Sequence, residues 1–182
     1  IPQRTYDPEK AAEHYKKSGH DGSPIILRVS DVAFPGAIEA AQLFQETAKA
    51  AGIPLELKRE PGDGYWSEVW NKQPFCASYW SGRPVQDQMY STAYLSTADW
   101  NDTRWDNEKF DKMLLEARAE LDEEKRKELY SRMGRMIRDE GGLICPMFND
   151  FITGVSDKVQ GWVNDPTGET MSGRWSSMLW LA

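Results

Sequence analysis

The chain has 182 residues, 40% of them hydrophobic and 28% charged, and a formal charge of −7 from 29 acidic and 22 basic side chains. That length and balance suit one domain with a real core and exclude wholesale disorder. Bases are interleaved with acids, as in Glu123-Glu124-Lys125-Arg126-Lys127-Glu128, which argues against nucleic acid as a partner, and no apolar run nears the roughly 18 residues of a membrane span, so a soluble piece is expected.

Ile1-Pro2-Gln3-Arg4-Thr5-Tyr6 carries neither an initiator Met nor an apolar signal core, which reads as a piece of something longer. Asp7 and Pro8 predict a helix start, a side-chain cap followed by a proline at the first helical position, with the helix running to about Ser18 and stopping at Gly19. Asp21-Gly22-Ser23-Pro24 is turn chemistry, and Ile25 to Val29 predicts a strand. After a loop from Ser30 to Gly36, an amphipathic helix is expected from Ala37 to Ala51. Its apolar positions Ile38, Ala41, Leu43, Phe44, Ala48 and Ala51 fall near a 3.6-residue period. Gly52 suits a left-handed cap, and Ile53 to Arg59 alternates as a half-buried strand. Strand, helix and strand at this spacing predict a βαβ unit with parallel pairing.

Tyr65 to Asn71 predicts a short helix, and Phe75 to Trp80, being uncharged, a central third strand. Residues 81–106 have weak periodicity; so long a loop in a compact domain is functional or partly helical. Two helices follow. Asn107 to Leu121 carries Phe110, Met113, Leu114 and Ala117, and Glu123 to Glu140 carries Leu129, Met133, Met136 and Ile137. Gly141-Gly142 breaks the second, and Leu143 to Phe148 is expected as a strand that Pro146 confines to an edge or a bulge. From Phe151 the chain reads as irregular, ending in Met178-Leu179-Trp180-Leu181.

The composition singles out tryptophan: residues 66, 70, 80, 100, 105, 162, 175 and 180. Burying one indole stabilises by roughly 4–6 kcal/mol as an upper figure, so core packing alone accounts for most of them. Trp80, Trp100 and Trp105 flank the irregular stretch instead of a periodic stripe, and their rings are candidates to line a pocket. Cys76 and Cys145 lie in apolar surroundings, as two buried thiols or as one disulfide. Two histidines, His14 and His20, and no cysteine pair at metal spacing argue against structural zinc. No nucleophile elbow or phosphate loop is present. Asp87, Asp99, Asp102 and Asp106 in or beside the long loop suit capping and turns better than acid–base work.

Taken in order, several segments resemble solute-binding protein family 5, the dipeptide- and oligopeptide-binding proteins of ABC importers. Tyr6-Asp7-Pro8-Glu9-Lys10-Ala11-Ala12-Glu13 resembles the opening of that family's large third domain. Ala50-Ala51-Gly52-Ile53-Pro54-Leu55-Glu56-Leu57 is similar to its helix-to-strand junction, and Tyr79-Trp80-Ser81-Gly82 to its ligand-loop Trp-x-Gly pattern. Asn107-Glu108-Lys109-Phe110-Asp111, Ala117-Arg118-Ala119-Glu120 and Glu124-Lys125-Arg126 with Leu129-Tyr130 extend the match over residues 5–180.

The resemblance implies an α/β, periplasmic-binding-protein-like (class II) lobe with a mixed, mostly parallel sheet flanked by helices. Residues 1–160 would form the ligand-binding lobe and residues 161–182 would return toward a first domain that is absent. It implies a non-catalytic substrate-binding component with no cofactor and no metal, periplasmic or lipid-anchored outside the cell. Its partners would be a small-molecule or short-peptide solute and the ABC permease subunits. The candidate ligand-binding residues are Trp80, Ser81, Gly82 and Arg83, with Ser30, Asp31 and Phe34 ahead of the amphipathic helix. Where family members hold a peptide amine with an Asp after the Trp, this chain has Arg83. Where dipeptide binders place a basic residue before the helix, it has Asp31 or Ser30. A guanidinium fork suits a carboxylate or phosphate and repels an ammonium, so a non-peptide or anionic solute is expected. The alternative is that Arg83 and Asp31 pair with each other or face water. Other functional classes are a protein-interaction or chaperone-like module, recognised by a broad apolar patch, and a hydrolase, recognised by turnover.

Overall fold

A computed structural model describes residues 1–150, 152–165 and 170–182. The chain divides into two compact units, Ile1–Trp80 and Ser81–Ala182.

The first unit opens with α1 (Pro8–Lys17), where the Asp7 carboxylate accepts from the Lys10 amide at 2.9 Å. Parallel strands cannot be joined by a tight turn, and the next segment supplies the long crossover they need. β1 (Ile25–Val29) and β2 (Leu55–Arg59) pair in parallel from Ile25–Leu55 to Val29–Arg59, with α2 (Ala37–Ala50) between them. Ala37, Ala41 and Ala48 form the buried stripe of α2, and their small side chains let the helix lie close to Leu27, Val29 and Leu55. Leu43, expected on that stripe, is instead 69% exposed. It follows Ala41 by two residues, about 200° around the helix, so it faces away from the sheet.

The expected central strand from Phe75 to Trp80 is reduced to a bridge between Arg28 and Cys76, on the side of β1 away from β2. The Arg28 amide donates to the Phe75 carbonyl at 3.1 Å, and the Ala77 amide donates to the Arg28 carbonyl at 2.9 Å. β1 therefore holds the middle position. It ends at Val29, one residue past the bridge, so residues 78–80 have no strand to pair with. Tyr65 opens a single π-helical turn (Tyr65–Val69) and is fully buried, its hydroxyl donating to the Ala77 carbonyl at 2.8 Å.

In the second unit the expected long loop contains α3 (Gln86–Ala93). α4 (Glu108–Ala119) and α5 (Glu123–Glu140) follow, capped by Asn107 and Asp122, whose side chains each accept an amide at 3.0 Å. Phe110, Met113, Leu114 and Ala117 of α4 are buried, as are Leu129, Met133 and Ile137 of α5 and Tyr90, Ala93 and Tyr94 of the α3 segment. Helix α4 stops short of its expected end: Leu121 is 92% exposed, because Glu120 and Asp122 turn extended to cap α5.

Residues 143–148, expected as a strand, are irregular and exposed. Pro146 offers no amide, and no neighbouring strand supplies a ladder among the described residues. Cys145 is accordingly exposed instead of buried, Cys76 is half-buried in the core of the first unit, and the two do not form a disulfide. Of the tail expected to be irregular, residues 151 and 166–169 lie outside the described residues. The rest holds β3 (Val159–Gln160), α6 (Trp175–Met178) and β4 (Trp180–Leu181), with β3 antiparallel to β4. Gly161 permits that pairing: at φ +84°, a β-carbon there would lie 2.4 Å from the Met178 carbonyl oxygen.

Two groups give the first unit a pH window. Burial pushes the Tyr65 phenol above its ordinary value near 10, so the unfolded chain releases that proton first; its contribution is full below pH 10 and is lost as pH rises. The hydrogen bond from Arg28 holds the Glu60 carboxyl below the usual range; that contribution is present above the ordinary carboxylate range and is lost as pH falls through the lowered value. Urea midpoints across pH should therefore decline at both ends. Tyr65→Phe should flatten the alkaline limb at a cost of about 1 kcal/mol at neutrality, and Glu60→Gln should flatten the acid limb. Limbs unmoved by these substitutions would contradict the assignment.

Candidate ligand-binding site

Parallel strands all end at the same edge of their sheet, and loops leaving that carboxyl edge are where α/β folds place ligands. In the first unit three loops leave it: residues 30–36 after β1, residues 60–64 after β2, and residues 78–80 after the bridged segment. Ser30, Asp31, Phe34 and Trp80, candidates far apart in sequence, are thereby brought to one edge. Ser30 is buried directly after β1, and its carbonyl accepts the Ala33 amide at 3.0 Å. Asp31 is exposed in the resulting turn, while Phe34 is half-buried and packs on the core. The loops after β1 and β2 touch at Gly62, where a β-carbon would meet Val32 Cγ1 at 2.7 Å. Glu60, in the second loop, is bound by the Arg28 guanidinium and by Lys58 Nζ at 3.2 Å.

Trp80 does not stand alone. Its ring meets Trp70 at 6.4 Å between centroids, Trp70 meets Trp66 at 6.2 Å, and Trp66 meets Tyr79 at 5.6 Å and Tyr65 at 5.4 Å. All four contacts are edge-on, the arrangement favoured by ring quadrupoles. The result is an aromatic ladder rooted in the buried Tyr65 and surfacing at Trp66, 38% exposed, and Tyr79, 57% exposed. Sequence reasoning singled out Trp80 and missed Trp66, Trp70 and Tyr79. The available signal was spacing: residues 66 and 70 are one turn apart on a short helix and so project together.

Ser81, Gly82 and Arg83 begin the second unit, ahead of α3. Ser81 and Gly82 are exposed and Arg83 is half-buried. Arg83 Nη1 donates to the carbonyl oxygens of Ser81 at 2.9 Å and Gly82 at 3.2 Å, so the guanidinium closes a turn of its own loop. No steric constraint calls for glycine at position 82, where a β-carbon would have open space.

The other candidates separate. Trp105 packs on Phe110 at 5.0 Å in the helical core of the second unit, whereas Trp100 is 51% exposed. Asp87 binds Arg118, and Asp111, which the sequence did not flag, accepts the Ser96 amide at 3.2 Å. Among the described residues no group of three His, Cys, Asp or Glu is placed to hold a metal ion, and no helix is long and apolar enough to cross a membrane. The first unit offers aromatic rings, a hydroxyl and a carboxylate on the loops of its sheet edge, and the second offers the Arg83 guanidinium ahead of α3.

The fold, a small parallel sheet flanked by helices, is that of periplasmic-binding-protein-like solute-binding proteins. Comparison with known proteins agrees. A dipeptide-binding protein of Escherichia coli (strain K12) is 25% identical over 178 residues, covering 93% of this chain and 33% of the relative. HbpA2 of Haemophilus parasuis superposes on 100% of this chain and 37% of its own with a TM-score of 0.71 at 19% identity. The oligopeptide-binding protein AppA of Bacillus subtilis, solved in complex with a nonapeptide, covers 100% of this chain and 39% of its own with a TM-score of 0.69 at 17% identity. No family model matches the chain. These curated and structural neighbours are family 5 ABC substrate-binding proteins, which are not enzymes, and the chain spans about a third of the length of the curated relative.

The ladder makes a physical claim about Trp70, the ring that joins Trp80 to Trp66. Trp70→Ala is expected to cost about 2–4 kcal/mol and to weaken the near-ultraviolet circular dichroism of the coupled indoles. Urea melts and spectra of the variant check both, and an unchanged spectrum would show that the rings do not act as a set.

Proposed function

We propose that this chain is one lobe of the substrate-binding component of an ABC importer, and that it grips a small solute when its partner lobe closes, without altering it. The observation that carries the reading is the convergence of Ser30, Asp31, Phe34 and the Trp80 ladder at the carboxyl edge of one parallel sheet. The likeness to dipeptide- and oligopeptide-binding proteins over most of the chain supports it. Closure would act by population shift: solute favours the closed form, and that form engages the permease. Residues 1–160 are the binding lobe in this reading, residues 161–182 return toward a first domain, and the site of action is the periplasm or the outer face of a membrane.

Solute chemistry follows from sign. By the family resemblance Arg83 would fall where peptide binders present a carboxylate, and a cation there favours a carboxylate- or phosphate-bearing solute over a free amine. Ser81, Gly82 and Arg83 would meet the anionic group of the solute; Ser30, Asp31 and Phe34 would meet a hydroxyl-rich or cationic group, and Trp80 would offer a ring to stack on.

A second reading has one observation in its favour. Leu143, Ile144, Met147, Phe148, Ile152 and Val155 are all exposed within thirteen residues, as on a protein-interaction module. In the lobe reading the same run packs against the remaining two thirds of a longer polypeptide. Thermal shift of the full-length polypeptide against peptides, opines, sugars and sugar phosphates separates the two. Saturable stabilisation by an anionic member of the panel is expected, and Arg83→Asp should weaken it by at least about tenfold. An affinity and solute preference unchanged by Arg83→Asp would overturn the anionic assignment; product formation would overturn the binding role itself.

A further inference from the structure

Pro61-Gly62-Asp63-Gly64 carries two glycines for two different reasons. Gly64 sits at φ +75°, in the left-handed region that glycine enters without steric cost. Gly62 lies outside that region, so its backbone conformation does not call for glycine; space does. A β-carbon there would lie 2.7 Å from Val32 Cγ1, far inside van der Waals contact, whereas Val32 Cβ would be at 3.9 Å. One methyl of Val32 therefore rests on bare backbone of the neighbouring loop.

The loop that carries Gly62 is anchored at both ends. Before it, the Glu60 amide donates to the Val29 carbonyl at 2.9 Å, and the Glu60 carboxylate is bound by Arg28 and by Lys58 Nζ at 3.2 Å. After it, the Tyr65 amide donates to the Gly62 carbonyl at 3.3 Å, and the buried Tyr65 hydroxyl donates to the Ala77 carbonyl at 2.8 Å. Val32 stands in the opposite loop as the third residue of a turn, Ser30 to Ala33, closed by the Ala33 amide on the Ser30 carbonyl at 3.0 Å. A β-branched side chain has restricted χ1 freedom, so crowding at Val32 passes into that turn. The same turn carries Ser30 and Asp31.

We infer that Gly62 is a positioning residue for the solute loop: its missing β-carbon gives Val32 a seat, and that seat fixes where Ser30 and Asp31 are presented at the carboxyl edge. This rests on the reading of Ser30 and Asp31 as solute contacts. The competing account is that Gly62 and Val32 only fill space.

Hydrogen exchange at the Ala33 amide of the full-length polypeptide, with no solute present, reads the turn directly, because that amide closes it. Gly62→Ala should speed exchange there by about fivefold or more, the strain of adding one methyl to a filled contact, while the Glu60 amide on the Val29 carbonyl keeps its rate. Val32→Ala removes Cγ1; added to Gly62→Ala it should return the Ala33 rate to within about twofold of the parent protein. The same variants then read affinity for whichever member of the peptide, opine, sugar and sugar-phosphate panel stabilises the parent. Gly62→Ala should weaken it by about fivefold or more, and the double variant should recover it. An Ala33 rate unmoved by Gly62→Ala, or moved and not recovered by Val32→Ala, would overturn the inference. Exchange that responds without any change in affinity overturns it too, by removing Ser30 and Asp31 from the site, and leaves the Arg83 assignment standing. A panel with no stabilising member counts against the binding role itself, and the exchange measurement, made without solute, is untouched by that failure.

Discussion

The first unit depends on the backbone of Arg28. Its amide and carbonyl turn away from β2 and bind residues 75 and 77, which makes β1 the middle of the sheet instead of an edge. The buried hydroxyl of Tyr65 donates to the Ala77 carbonyl that the same bridge brings close, and the Arg28 side chain reaches across to Glu60. One residue thus joins the segments that precede all three carboxyl-edge loops. Without the bridge, residues 78–80 would have no fixed start, and the aromatic ladder would lose its end at Trp80.

From that constraint the character of the candidate site follows. Loops that leave a parallel sheet at one edge bring together residues about fifty positions apart, Ser30 and Trp80, without a special motif in either segment. The ladder is then anchored at its buried end by Tyr65 and open at Trp66 and Tyr79. Rings held edge-on by one another keep little freedom of their own. In the second unit the Asp87 carboxylate of α3 is gripped from two other helices, by Arg118 and Tyr130.

The exposed run from Leu143 to Val155 belongs to the same logic. Six large apolar side chains between Leu143 and Val155 face outward, and the described residues of that stretch belong to no strand.

Local physics wrote much of this protein plainly. Asp7-Pro8, Asn107 and Asp122 announced helix starts, Gly52 an end, and the alternation of Ile53 to Arg59 a strand; each depends on interactions within a few residues. The order of segments also carried the resemblance to binding proteins. What the sequence could not decide involved partners distant along the chain. Whether residues 75–80 form a central strand depends on where β1 ends, and whether Leu143 to Phe148 pairs depends on a neighbour that local composition does not name. That Trp66, Trp70 and Tyr79 join Trp80, while Trp105 retreats to the helical core, depends on which surfaces packing brings together. Periodicity reports which face of an element is apolar; only tertiary structure supplies what lies opposite it.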